Sequence, residues 1–145
     1  MQVNIRCKPA YAVAYCVLEN GEDLIVERGA MAAMSTGIEV GAAVGSVGKA
    51  VKRKVLGNEG LVFAKYSAQK DGAWIAVAPS FPGDVGEIEV TPSNAVLVET
   101  GAVLAHAQSV VLDTKITGLG TLLLKEGVSM LKLAGSGSAL VGTYG

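Results

Sequence analysis

His106 is the only histidine in the chain. It stands between Ala105 and Ala107 in an apolar run, a setting that suits a packed or surface residue better than a general base or a metal ligand. Cys7 and Cys16 are the only cysteines, with no flanking Cys or His to complete a metal site or a redox pair. Metal-dependent barrels need several histidines and carboxylates converging on one point, and that set is missing. Gly45-Ser-Val-Gly48-Lys49-Ala50 has part of a phosphate-binding loop. Ala43 stands where the first glycine belongs, however, and Ala50 replaces the Ser or Thr that would hold magnesium. Gly135-Ser-Gly137 has the wrong spacing for a dinucleotide fingerprint and reads as a loop. These residues imply no catalytic site, no metal and no cofactor.

The strongest functional candidates are cations. Lys49, Lys52, Arg53 and Lys54 stand beside Val47, Val51, Val55 and Leu56. A basic segment with an apolar face can lie on an anionic membrane or grip phosphates. Nucleic-acid binding also wants aromatic platforms, and none is interleaved with this run, so a membrane or protein partner ranks ahead of RNA. The plain alternative is a solvated, protruding loop. Val47 to Leu56 is also the best helical candidate in the chain.

Behind these residues lies a chain built for strands. Of 145 residues half are hydrophobic, 19 are glycine and few are aromatic. Short strands and tight turns fit that composition better than long helices, and the chain can bury a substantial core. The formal charge of -1 excludes a whole-molecule field that draws the protein to nucleic acid or anionic lipid. The N-terminus has neither the charged-then-apolar pattern of a secretory leader nor the Arg-rich character of a presequence. The apolar runs are broken by Glu39, Glu99 and repeated glycines, so none reads as a membrane span. Gly37, Gly41 and Gly45 have helix-packing spacing, but Glu39 among them points to a hairpin.

Turn signals cut the chain into strand-length pieces. Asn20-Gly21 is flanked by Tyr11 to Leu18 and Leu24 to Glu27, and Asp71-Gly72 by Leu61 to Tyr66 and Trp74 to Ala78. Each pair reads as a hairpin.

The most informative pattern is an internal repeat. Leu24-Ile-Val-Glu-Arg-Gly-Ala-Met-Ala-Ala-Met aligns without a gap on Val96-Leu-Val-Glu-Thr-Gly-Ala-Val-Leu-Ala-His. A second match sets Asn58 to Ser67 against Lys125 to Ala134. The expected division is 1–85, carrying the Gly-rich basic loop 41–57, and 86–145. Glu27, Gly29, Glu99 and Gly101 form the shared signature. It reads as a strand ending at a glycine that takes a positive φ or a close backbone approach. Duplication places Glu27 and Glu99 at symmetry-related corners rather than in one shared site.

Val26-Glu-Arg-Gly-Ala-Met31, the Gly-rich stretch into Lys52-Arg53, Glu59-Gly-Leu-Val-Phe63, Ala78-Pro79-Ser80-Phe81-Pro82-Gly83-Asp84 and Leu112-Asp-Thr-Lys115 follow one another in order. Together they resemble the altered-inheritance-of-mitochondria family, number twenty-four, over nearly the whole chain. The turn motif of Pro79, Phe81, Pro82, Gly83 and Asp84 is the most specific piece. The resemblance implies an all-β, antiparallel β-sandwich like that of the tryptophan RNA-binding attenuation protein. It also implies several chains closing into a trimer or ring, and a non-enzymatic role that in eukaryotic relatives supports inner-membrane organisation. Family chains continue into a third copy, which is not expected in these residues.

The function expected is that of a homo-oligomeric scaffold, cytoplasmic in a bacterial or archaeal source and mitochondrial in a eukaryotic one. Its loop would meet a membrane surface or protein partner. A single-stranded RNA-binding ring is the alternative, and a small-ligand-binding barrel the third reading.

Overall fold

The structure, a computed structural model, describes residues 1–43, 62–113 and 130–144. Thirteen strands are defined among them: β1 (Gln2–Arg6), β2 (Val13–Leu18), β3 (Asp23–Glu27), β4 (Met31–Met34), β5 (Ile38–Ala42), β6 (Phe63–Ala68), β7 (Ala73–Val77), β8 (Gly83–Val90), β9 (Val96–Glu99), β10 (Val103–Ala107), β11 (Val110–Asp113), β12 (Met130–Gly135) and β13 (Gly137–Tyr144). A 3₁₀ turn, Thr100–Ala102, joins β9 to β10. The strands form three antiparallel sheets, ordered β1-β2-β7-β4, β5-β6-β3-β10-β13-β8 and β11-β12-β9. The all-β expectation holds.

The six-stranded sheet is the middle layer. Along β3, Leu24 and Val26 join the core beneath the four-stranded sheet, which also holds Ala14, Cys16, Ile75 and Val77. Ile25, pointing the other way, joins Leu112, Leu131 and Leu133 beneath the three-stranded sheet. Strands buried on both faces lose the polar alternation of a half-exposed strand, which is why Leu24-Ile25-Val26 and Val103-Leu104-Ala105-His106 are buried without a break. Each fully buried Leu or Ile contributes about 1.5–3 kcal/mol of transfer free energy.

Both expected hairpins are corners instead. β2 and β3, on either side of Asn20-Gly21, lie in different sheets, as do β6 and β7 around Asp71-Gly72. Gly21 and Gly72 do take the positive φ values, 81° and 74°, that the turn signals promised. A tight turn sets only the local reversal, however, and the flanking strands pack face to face across one core, Cys16 and Leu18 with Leu24 and Val26, and Ile75 and Val77 with Tyr66 and Ala68. The two corners lie side by side: the Asn20 amide donates to Asp71 Oδ1 at 2.8 Å, and the Gly21 and Gly72 amides donate to the carbonyls of Ala68 and Leu18.

The pairings of β2 to β7 recur in β8 to β13. Glu27↔Phe63 and Val26↔Ala64 on β3 and β6 have counterparts in Glu99↔Met130 and Val98↔Leu131 on β9 and β12. Even the irregularity recurs: β4 slips against β7 between Met31 and Ala33, and β10 slips against β13 between Val103 and Ala105. The division drawn at residues 85 and 86 falls inside β8, Gly83–Val90. β1 stands outside the correspondence and covers the outer edge of β2.

Candidate functional site

Glu27 ends β3 and its side chain folds back on the turn that follows. Glu27 Oε2 accepts from the Gly29 amide at 2.7 Å, while the Ala30 amide donates to the Glu27 carbonyl at 3.0 Å. A Cβ at residue 29 would stand 3.1 Å from that carboxylate, and one at residue 101 would stand 3.5 Å from the carboxylate of Glu99. What stands nearest each glycine is a side chain, the carboxylate of the preceding glutamate, and not another backbone. Gly29 and Gly101 are not among the glycines with positive φ. The glycine leaves room for the preceding carboxylate to cap the turn.

The two glutamates share one cleft. It has a volume of about 310 Å³ and is lined by Glu27, Pro79, Phe81, Glu99, Leu104 and Tyr144 among others. The end of β3, the end of β9, the turn after β7 and the last residues of β13 meet there because β10 and β13 follow β3 in the middle sheet. Separate corners were expected from duplication. The seam between β3 and β10 instead brings the first carboxylate next to the turn that holds the second.

Pro79, Ser80 and Phe81 of the turn motif line the cleft. Phe81 and Tyr144 stand edge to face, ring centroids 5.9 Å apart, and both are exposed. Asp84 accepts from the Val85 amide at 2.8 Å and pairs with Lys8 at 3.1 Å, and Lys8 also donates to the Val85 carbonyl at 3.0 Å. Gly83 sits so close to β13 that any side chain would collide with the Thr143 carbonyl oxygen. Pro79 lies against Gly142, where a Cβ would come within 3.3 Å of it. Tyr144 was not singled out in the sequence. An isolated aromatic carries no spacing signal that would place it opposite Phe81.

Chemically the cleft offers carboxylates and aromatic faces, which attract cationic groups and repel phosphate. Ser80, Thr143 and Tyr144 supply the hydroxyls in its wall, and among the described residues no histidine or cysteine lines it. Among the described residues no group of three or more His, Cys, Asp and Glu side chains is placed to hold a metal ion.

His106 is fully buried in β10. Nδ1 lies 2.9 Å from the Ala107 carbonyl, so that nitrogen carries the hydrogen and donates, while Nε2 has no hydrogen-bond partner. Burial pushes its pKa down, partly opposed by backbone carbonyls, which favours the uncharged ring. It packs edge to face on Phe63 at 5.7 Å. Cys16 is buried and Cys7 exposed, both as free thiols. Burial, with Glu87 adding to it, pushes the Cys16 thiol up to about 12.

Lys49, Lys52, Arg53 and Lys54, the phosphate-loop-like segment and the helical candidate Val47 to Leu56 lie outside the described residues. Among the described residues no helix is long and apolar enough to cross a membrane.

The fold defines the class: an all-β protein of stacked antiparallel sheets. Within that class the chain belongs to the family described as Mitochondrial biogenesis AIM24, which matches residues 3–145. Its fold is similar to the crystal structure of a Streptococcus pyogenes protein, with a TM-score of 0.73 at 19% identity. The match covers 99% of this chain and 65% of that one, so this chain spans less than two thirds of that protein's length. No curated protein matches the sequence.

Proposed function

We propose that this chain is a non-enzymatic structural protein made of two copies of one six-stranded unit, and that it works as an assembly of such units. The observation that carries this reading is the seam between β3 and β10. There one set of six strands adds its sheet to the sheet of the other, and β4 and β9 are left without a strand on their outer sides among the described residues. Open edges are templates for further pairing. The neutral, inward-facing His106 and the turn-capping role of Glu27 favour structure over catalysis at the two places where chemistry was conceivable.

The assembly presents the Gly-rich basic segment 41–57, with Lys49, Lys52, Arg53 and Lys54, to a membrane surface or protein partner in the cytoplasm or, in a eukaryotic cell, the mitochondrion. The described surface favours this over an RNA-binding ring. Its exposed aromatic pair, Phe81 and Tyr144, lines the same cleft as two carboxylates, which oppose a phosphate backbone.

Light scattering tests the assembly: a molar mass that is a whole multiple of 14.7 kDa supports it, and a monomer at all concentrations overturns it. Flotation with anionic liposomes tests the loop. Binding that survives conversion of all four cations to Glu removes the loop from the reading.

A further inference from the structure

β10 is the strand of the middle sheet held by the shortest ladders. Three residue pairs join it to β3, and three, interrupted by the slip between Val103 and Ala105, join it to β13. By contrast, β3 pairs with β6 over five residues and β13 with β8 over eight. His106 lies in both short ladders, opposite Ile25 on one side and Ala139 on the other. The repeat puts Met34 at the corresponding place, since Met34 lies opposite Ile75 on β7 as His106 lies opposite Ala139 on β13. An apolar side chain thus fits this position of the unit, and the strand pairing does not itself require a histidine.

The surroundings of the ring suit only its uncharged form. His106 is fully buried, Nδ1 donates to the Ala107 carbonyl, and Nε2 has no hydrogen-bond partner. A second proton on Nε2 would need an acceptor, and a buried charge without one is costly. The carboxylates along this face of the middle sheet are already held elsewhere. Asp23 pairs with Lys65 at 3.1 Å, Glu39 accepts from Gln69 at 3.2 Å, Glu27 accepts from the Gly29 amide, and Asp84 pairs with Lys8. Lys65 stands in the same cross-strand row as Ile25 and His106, so the cation of that row repels a second positive charge. From the covering sheet, β9, β11 and β12 turn apolar residues toward this core, and Glu99, Asp113 and Lys132 alternate away from it.

We infer that His106 makes the seam between β10 and β3 an acid-operated latch: proton uptake by its ring parts these two strands locally while β2 and β7 stay folded. The closed seam excludes the proton and the open seam exposes the ring to water, so acid favours the open state. The buried ring titrates below its ordinary 6.5, and the exposed ring returns to that value. The opening constant is therefore flat above 6.5 and rises by about tenfold for each pH unit below it, until the lowered value is reached. Opening bares Ile25 and Phe63 and frees the facing edges of β3 and β10 for other contacts. The latch works within one chain and does not depend on the assembly reading above.

Amide hydrogen exchange read by mass spectrometry tests it, because exchange reports local opening strand by strand. The natural protein and His106→Met are compared from about pH 7.5 to about pH 5, with each rate divided by that of the unstructured chain at the same pH. In the natural protein, protection of β3 and β10 is expected to fall by about tenfold on the acid side while β2 and β7 keep theirs. In His106→Met all four strands should keep their protection. Equal loss in β2 and β7, loss at the seam that persists in the variant, or no loss at the seam overturns the inference. Should His106→Met fail to fold, the natural protein decides alone. His106 is the only histidine, so its imidazole proton signal in the NMR spectrum needs no assignment. That signal should remain that of the neutral ring at pH 6.5, and a ring half-protonated there with the seam amides still protected overturns the latch.

Discussion

His106 and Ile25 face each other across the seam between β10 and β3, and both are buried. This is the middle one of three residue pairs that join the two halves of the middle sheet, and the His106 ring packs edge to face on Phe63. The imidazole meets half of its hydrogen-bonding capacity through Ala107, and Nε2 meets none.

Replacing His106 by Met, the residue at the corresponding position in β4, is expected to stabilise the protein by about 1–3 kcal/mol at neutral pH by removing an unsatisfied buried nitrogen. The histidine also ties stability to pH. Its folded pKa lies below the ordinary 6.5, so the unfolded chain binds the proton first. The native protein holds its full stability above that value and loses it as pH falls from there toward the lowered folded pKa. Urea midpoints measured from about pH 5 to about pH 8 should slope downward on the acid side for the natural protein and flatten for the variant.

Gly83→Ala is expected to be destabilising by about 1–3 kcal/mol, since the added carbon collides with the backbone of β13 and must prise the β8 and β13 ladder apart at its end. Gly41→Ala is the control: nothing stands within 4 Å of its added carbon and its φ is not positive. It should be neutral or gain about 0.4–1 kcal/mol from a less mobile unfolded chain. Thermal unfolding of the two variants side by side reads the difference.

The two thiols should differ sharply in reactivity. Cys7 is exposed, whereas Cys16 is buried with its thiol pushed up to about 12, so its thiolate is scarce. An alkylating reagent at neutral pH should modify one site in the native protein and two after denaturation, as counted by mass spectrometry. Rapid native labelling of Cys16 would show that β2 opens locally.

Glu27→Gln keeps an oxygen for the Gly29 amide and should leave stability nearly unchanged, while Glu27→Ala removes the turn cap at a cost of about 0.5–1.5 kcal/mol. Equal losses in the two variants would mean that the charge, and not the hydrogen bond, holds the turn. Chemical denaturation at fixed pH separates the two cases.

The sequence by itself determined the strand content, the positions of the turns and the correspondence between the halves. These are local or translational properties: Gly21 and Gly72 need positive φ wherever their strands go, and the match of Leu24 to Met34 with Val96 to His106 requires no knowledge of contacts. The apolar neighbours of His106 left a packed and a surface position both open, and its burial in β10 decided for the packed one.

Tertiary structure decided which strands pair. Asn20-Gly21 signals a reversal, but only the burial of Leu24 and Val26 on one face and Ile25 on the other sends β3 into a different sheet from β2. Through that choice Glu27 and Glu99, far apart in sequence, came to line one cleft, with Phe81 and Tyr144 at its rim. Turn chemistry acts over a few residues, whereas sheet membership is settled by the apolar surface that distant strands bury together.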